Sequence, residues 1–138
     1  MGQQPAHRAP GYGALGARLS HQLERNKMPH QKFNACIEAC NACAVACNHR
    51  AASCLQEDDV KMMARCIALD IDCAEICAMA AAAMARASEQ AEAICTACAQ
   101  VCQACGEECA KHSMAHCQEC AQACRRCAEE CRKMAAMA

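Results

Sequence analysis

The chain has 138 residues, a formal net charge of −1 and 18 cysteines, but one tyrosine, one phenylalanine and no tryptophan. This length suits one domain, and a near-neutral chain with almost no aromatic rings lacks the basic surface and the stacking platform of a nucleic-acid-binding protein. Bulky side chains supply most of the burial free energy of an ordinary core, so we expect this chain to draw its cohesion from another source.

The N-terminal sequence bears on where the protein resides. It reads MGQQPAHRAPGYGALGARL, without the apolar stretch and small-residue cleavage site of a signal peptide. No segment reaches the 18 or more apolar residues of a membrane span. We therefore expect a soluble cytoplasmic protein with no membrane partner. In that reducing compartment, a dense cysteine pattern indicates metal binding rather than a disulfide scaffold.

Residues 1–28 differ in composition from the rest of the chain. They contain two of the three prolines and four of the five glycines, which predicts disorder for the first dozen residues. Leu15, Leu19 and Leu23 recur every four residues and predict a short amphipathic helix that packs across the outside of the domain. We expect 1–28 to be a flexible N-terminus with this short helix, and 29–138 to form the domain.

Two helices are predicted in the first half of the domain. Pro29 suits the first turn of a helix, and no further proline or glycine interrupts the chain as far as Cys54. Asp58 or Asp59 can cap a second helix, which runs to about Ala87.

Two further helices are predicted in the second half. The third begins at Ser88 and ends near His112, with Gly106 inside it at a cost of about 1 kcal/mol relative to Ala. Ser113 can cap the fourth, which continues to about Ala136. Because the connections are short, neighbouring helices should be antiparallel, and the expected fold is an all-α, antiparallel four-helix bundle.

The cysteines recur at helical spacing. In the third and fourth helices the gaps between them are 3, 4, 3 and 4 residues, the spacing of the a and d positions in a helix seam. The first helix keeps this register with one slot unfilled, and in the second helix Asp70 stands in the slot between Cys66 and Cys73. All the cysteines can therefore face one interior and ligate metal. They are Cys36, Cys40, Cys43, Cys47, Cys54, Cys66, Cys73, Cys77, Cys95, Cys98, Cys102, Cys105, Cys109, Cys117, Cys120, Cys124, Cys127 and Cys131.

An inert thiol core or a set of disulfides accounts for this stripe less well than metal binding does. Free cysteine is often buried as a small hydrophobe, but eighteen of them would leave a core less cohesive than leucine gives. Disulfides within a helix are disfavoured by distance. Side chains at i and i+3 or i+4 of a helix have Cβ atoms about 5–6 Å apart, whereas a disulfide needs about 3.5–4.5 Å.

The metal that suits such a column is Cu(I). Thiolate is a soft ligand that selects Cu(I), zinc or iron–sulfur clusters. One Cu(I) per thiolate, with each thiolate shared by two ions, makes the interior neutral, whereas each zinc with four thiolates keeps two negative charges. The sequence shows a continuous column and no separate quartets, and no loop signature of an iron–sulfur cluster. This neutrality implies a capacity on the order of 18 ions per chain.

The cysteine runs resemble those of a known family. The runs are CIEACNACAVAC, CAEIC, CTACAQVCQACGEEC and CQECAQACRRCAEEC, and they span residues 36–131. In combination they resemble the bacterial copper storage proteins, in particular the cytosolic members without a signal peptide. This resemblance implies a four-helix bundle that stores Cu(I) mainly on pairs of cysteines and assembles as a homotetramer.

Three other residues are candidate ligands. In an antiparallel bundle, the start of the second helix and the end of the third meet at one end. His112 continues the cysteine spacing there and can ligate copper at the mouth. Asp70, if it faces inward, is a candidate oxygen ligand, and Asp58 near the same end is a third candidate. The resemblance also implies a few ligands other than cysteine near one end. We expect copper to enter at this histidine-bearing end.

Other functions are possible from the residues alone. The main alternative is a zinc or general heavy-metal buffering protein. The second alternative is an enzyme, for instance a thiol oxidoreductase. Such an enzyme uses one CxxC pair in an asymmetric environment, and no pair stands out in this sequence. We expect no catalysis.

Overall fold

The computed structural model describes residues 27–137 of the chain, with side chains from residue 33 onward. Over this range the chain folds into four α-helices and one 3₁₀ helix. They are α1 (Lys27–Leu55), the 3₁₀ helix (Val60–Met63), α2 (Ala64–Ala85), α3 (Ala91–Ala110) and α4 (Ala115–Ala136). The predicted N-terminal helix lies outside the described residues.

The four helices form an antiparallel bundle. Helix α1 packs against α2 and α4, and α3 packs against the same two helices, so each helix has two neighbours and one diagonal partner. The start of α1 meets the end of α4, since Cys36 Sγ lies 3.6 Å from Cys131 Sγ. The all-α four-helix bundle predicted from the sequence is therefore confirmed. Within residues 27–137 no helix combines the length and apolar character of a membrane span.

The start of the second helix differs from the prediction. A 3₁₀ turn precedes α2, so Met63 stands at its N-cap position, where it makes no side-chain cap hydrogen bond. Asp59 stands at the N-cap position of the 3₁₀ helix, but its carboxylate makes no cap hydrogen bond. The prediction that Asp58 or Asp59 caps the second helix was wrong.

The starts of the last two helices also differ. Helix α3 begins at Ala91, and Ser88 Oγ instead accepts a hydrogen bond from the backbone N–H of Gln90 at 3.1 Å, in the turn before the helix. Met114, not Ser113, is the N-cap residue of α4. The end of α3 at Ala110 precedes the predicted one at His112, whereas α4 ends at Ala136 as predicted.

Helix α2 ends with an alanine in the left-handed region. Ala87 has φ 51°, a conformation that favours glycine. The N–H of Ser88 bonds to the carbonyl of Ala83 at 2.9 Å, and the N–H of Ala87 bonds to that of Met84 at 3.0 Å. These two hydrogen bonds form a Schellman motif, and the helix therefore ends at Ala85, two residues before the predicted end.

Gly106 marks a close approach of α3 and α4. A Cβ atom at this position would lie 3.1 Å from Cys124 Cβ and 3.6 Å from the carbonyl oxygen of Ala121. The glycine that costs α3 some helical stability therefore lets the two helices pack closely.

Candidate metal centre

The cysteine side chains form the core of the bundle. All eighteen are free, and none is more than 2% exposed. Alanines occupy many of the buried positions beside them, so the helices approach closely enough for sulfurs to meet across the axis. The prediction that helical winding aims every sulfur at one shared interior is confirmed.

Most of the sulfurs contact other sulfurs along the column. Adjacent helices are joined by short contacts, for example between Cys40 and Cys127 at 3.5 Å and between Cys73 and Cys102 at 3.5 Å. Diagonal helices meet as well, since Cys77 Sγ lies 3.7 Å from Cys127 Sγ. These separations exceed a disulfide bond of about 2.05 Å, yet two sulfurs so placed can bracket one metal ion at about 2.3 Å from each.

Groups of four cysteines occur along the column. In each group the four sulfurs lie within 4.8 Å of one another, and many cysteines belong to two groups. Three of the groups share no member, and other groups link them through shared cysteines, so the column is continuous and can also be divided into quartets. The three groups are Cys40, Cys98, Cys127 and Cys131; Cys43, Cys73, Cys77 and Cys102; and Cys47, Cys105, Cys120 and Cys124. Distances of this size admit a zinc ion among four sulfurs, and charge disfavours it.

A buried polar pair interrupts the column. Arg50 Nη1 donates a hydrogen bond to Asp70 Oδ2 at 2.8 Å, and both side chains are fully buried. Arg50 lies between Cys47 and Cys54, in the slot of the α1 register that holds no cysteine. The sequence prediction included Asp70 and missed Arg50, although the same count of register positions identifies both.

Asp70 faces inward among thiols. Its Oδ1 accepts hydrogen bonds from Cys105 at 3.2 Å, Cys120 at 3.6 Å and Cys109 at 3.8 Å. Burial, reinforced by the charges of the neighbouring thiolates and opposed by Arg50, raises the pKa of Asp70 to about 9. The carboxyl group therefore has the position of a candidate oxygen ligand, and that ligand role stays a prediction.

The Arg50–Asp70 pair lies between two groups of cysteines. Fifteen pack into one cluster, here called the main compartment. Cys54, Cys66 and Cys117 pack separately with Met63, and this group is called the small compartment. Burial raises the pKa of Cys54 to about 11 and also raises that of Cys66, so both are protonated at neutral pH. A metal ion that binds here must displace these protons.

Two histidines lie at the mouth of the small compartment. His112 Nε2 lies 2.9 Å from Cys66 Sγ, and His116 Nε2 lies 3.9 Å from Cys54 Sγ. Their side chains are 23% and 20% exposed, so each connects a buried thiol with solvent. The placement of His112 next to a cysteine agrees with its expected position, and its role as a ligand stays a prediction.

Glu108 is a mouth residue that the sequence prediction missed. Its carboxylate accepts a hydrogen bond from Cys66 at 3.4 Å and lies 3.7 Å from His112 Nε2. Exposed Arg65 and Lys111 both pair with it. Burial raises the pKa of Glu108, but hydrogen bonds from Lys111 and Cys66 outweigh burial and lower it below the usual value. Glu108 precedes His112 by four residues, a spacing that could have indicated the contact.

Asp58 has a different setting from the other candidates. Its side chain is exposed on the loop between α1 and the 3₁₀ helix. The neighbouring Glu57, not Asp58, lies near a mouth histidine, with Oε1 3.8 Å from His116 Nε2. The structure thus brings Asp70 and His112 to the column and leaves Asp58 at the surface.

The chain is similar to proteins with this architecture. An uncharacterized cysteine-rich protein, YhjQ, from Bacillus subtilis (strain 168) is 52% identical over 86 residues, which are 62% of this chain and 80% of that protein. Apo copper storage protein 3 from Bacillus subtilis is 50% identical, with a TM-score of 0.69 over 75% of this chain and 98% of that one. A cytosolic copper storage protein from Streptomyces lividans, solved with five coppers, is 41% identical, with a TM-score of 0.75 over 78% of this chain and 94% of that one. The model of the copper storage protein family matches residues 29–136, and the chain belongs to that family.

Proposed function

We propose that this copper storage protein holds on the order of 18 Cu(I) ions per chain, about one for each interior thiolate. The observation that carries the proposal is the set of eighteen buried, free sulfurs, fourteen of which contact at least one other sulfur at 3.5–4.0 Å. A chaperone or a sensor needs one or a few ions, whereas a column of this capacity suits storage.

Charge favours Cu(I) over zinc in this interior. Each buried thiolate needs a compensating positive charge, because an unpaired charge is costly to remove from water. Cu(I) shared between thiolates provides one positive charge per sulfur. Three separate zinc sites with four thiolates each would leave about six negative charges inside the bundle.

Copper enters, in this proposal, at the end that carries His112 and His116. The partly exposed imidazoles lie next to Cys66 and Cys54 there. The opposite end is closed by Met84 and Met134, which are 0% and 2% exposed. Direct transfer from imidazole to thiolate fits this arrangement, because imidazole and thiolate are both copper ligands.

Other features of the proposal rest on relatives and on resemblance. The Streptomyces lividans relative is described as cytosolic, and we assign this chain to the same compartment. The homotetramer is carried over from the resemblance to the family. The proposed role is storage without catalysis.

Competition between metals tests the assignment to Cu(I). Reduced protein saturated with Zn(II) would be titrated anaerobically with Cu(I), and both metals would be measured after gel filtration. We expect Cu(I) to displace all the zinc. Retention of zinc at about four thiolates per ion would support the alternative, a zinc or general heavy-metal buffer.

A further inference from the structure

Two nitrogen atoms of Arg50 have no hydrogen-bond partner within the part of the chain that the structure describes. The side chain is fully buried, and Nη1 is engaged by Asp70, but Nε and Nη2 have no acceptor within hydrogen-bonding distance. Buried polar atoms are almost always paired, and an unpaired donor on a charged group costs more than on a neutral one. No described protein atom accepts a hydrogen bond from these two nitrogen atoms, so both remain available to an acceptor that binds beside them.

The chemistry beside Arg50 identifies that acceptor. Burial lowers the pKa of the Arg50 guanidinium, but the sulfurs of Cys117 and Cys66, in their thiolate forms, lie close enough to raise it more, and the net pKa lies above the usual value. Both cysteines belong to the small compartment. Arg50 stands one helical turn before Cys54 on α1. Its partner Asp70 stands one turn after Cys66 on α2, so the pair borders the small compartment. A protonated thiol is a weak acceptor, whereas a sulfur that has lost its proton is a strong one for a cationic N–H.

We propose that Arg50 is a positioning residue for copper in the small compartment, where its Nε–H and Nη2–H groups donate hydrogen bonds to the copper-bound sulfurs of Cys66 and Cys117. The inference rests on the proposed storage of Cu(I). Each of the two S–H bonds breaks with its electron pair left on sulfur, both protons pass to solvent, and the sulfurs bind one Cu(I). No electron is transferred.

Charge supports the same assignment. One Cu(I) between two thiolates carries a net charge of −1, and such a complex is costly to bury alone. The guanidinium supplies a positive charge that does not depend on a second copper ion. Arg50 thereby stabilises the first ion in the small compartment before the main compartment has filled.

The first test follows the Nε–H of Arg50 by NMR. Copper-free, fully reduced protein labelled with ¹⁵N-arginine would be titrated anaerobically with Cu(I), which is diamagnetic. We expect one slowly exchanging Nε–H signal, assigned to Arg50 by its absence from the Arg50→Lys variant, to move downfield as the small compartment fills. The same signal should stay in place in a Cys66→Ser/Cys117→Ser variant. A signal that does not move in the parent chain overturns the inference.

The second test compares affinities in a double-mutant cycle. Arg50→Lys keeps a positive charge for Asp70 but lacks the two further N–H groups. In competition with a Cu(I) chelator, we expect this variant to bind copper in the small compartment about ten-fold more weakly. In the Cys66→Ser/Cys117→Ser background, the same substitution should have no further effect.

The outcomes separate this inference from the proposed function. An equal loss in both backgrounds would mean that Arg50 acts only on the fold, and the inference would fail. Should Arg50→Lys not fold, the Nε–H signal of Arg50 would be assigned by sequential NMR experiments on the parent chain, and the titration of that chain still decides. A parent chain that binds about 18 Cu(I) with no change at Arg50 would retain the storage function and lose the inference.

Discussion

Arg50 and Asp70 occupy the two places where the cysteine register of α1 and α2 is broken, and they pair at 2.8 Å inside the bundle, towards the end that carries His112. The two breaks are therefore one structural feature. The pair lies between fifteen thiols on one side and three on the other. A buried guanidinium is costly unless it is well paired, and this cost makes the removal of either partner informative.

The two members of the pair should differ in their effect on stability. Asp70→Leu leaves a buried guanidinium that cannot lose its proton, and we expect a loss of about 3–5 kcal/mol in the free energy of unfolding. Arg50→Leu leaves a carboxyl group whose raised pKa of about 9 allows it to stay protonated, so the loss should be smaller. Urea unfolding of the reduced, copper-free variants measures both.

The double variant Arg50→Leu/Asp70→Leu is the control for this pair. With both polar side chains replaced by leucine, it should be more stable than Asp70→Leu alone. Additive losses in the double variant would contradict the coupling of the two side chains.

His112 should control the rate of copper loading. Because its Nε2 lies 2.9 Å from Cys66 Sγ at the mouth, His112→Ala removes the partly exposed ligand nearest that thiol. We expect loading from a Cu(I) chelator to slow on the order of ten-fold, with total capacity unchanged. Stopped-flow absorbance measures the rate.

The matched control is His49→Ala, since His49 is exposed on the outside of α1. This variant should load at the parental rate. If His112→Ala loads as fast as the control, the imidazole has no part in the route.

Ala87 offers a route to higher stability. It holds a left-handed conformation with φ 51° at the end of α2, which costs an L-residue about 1–2 kcal/mol. Glycine removes this backbone strain, but it also increases the conformational entropy of the unfolded chain, which offsets part of the gain. Ala87→Gly should therefore raise the free energy of unfolding by about 1 kcal/mol. Thermal unfolding measures the change.

Ala82→Gly serves as the comparison, because Ala82 is exposed within α2 and has no left-handed backbone. It should destabilise the protein by about 1 kcal/mol. The same sign of change in both variants would refute the assignment of the Schellman motif.

Stability of the copper-free protein should fall at alkaline pH. Burial raises the pKa of Cys54 from 9.0 to about 11, so the unfolded chain releases this proton first. The stabilising contribution is complete below pH 9 and is lost as the pH rises through 11. Anaerobic urea unfolding across this range measures the slope. Cys54→Ser should show a shallower fall, and an equal slope in both proteins would speak against the buried, protonated thiol.

The cysteine register predicted the fold well because it is a geometric property of the helix. A repeat of three and four residues keeps Cys95 through Cys109 on one side of α3 whatever the rest of the sequence does. Four such segments with short connections allow few arrangements, and the antiparallel bundle is the simplest. The same helical geometry explains why the sequence predicted a shared interior for the cysteines.

The polar residues were harder to predict because their partners come from other helices. In the sequence alone, Arg50 resembles a surface residue. Its buried position becomes clear only when the bundle places Asp70, the other interruption of the cysteine register, next to it. Glu108 lies off the cysteine stripe, and only the approach of α2 brings Cys66 and Arg65 to it. The predicted helix starts were wrong for local reasons. A 3₁₀ turn, for example, separates Asp59 from the start of α2.

The stoichiometry of Cu(I) binding tests the central claim most directly. Fully reduced protein would be titrated anaerobically with Cu(I), passed through a gel-filtration column and analysed for copper and protein. Storage on the thiol column predicts on the order of 18 ions per chain, about one for each interior thiol. A value of one or two ions would contradict it.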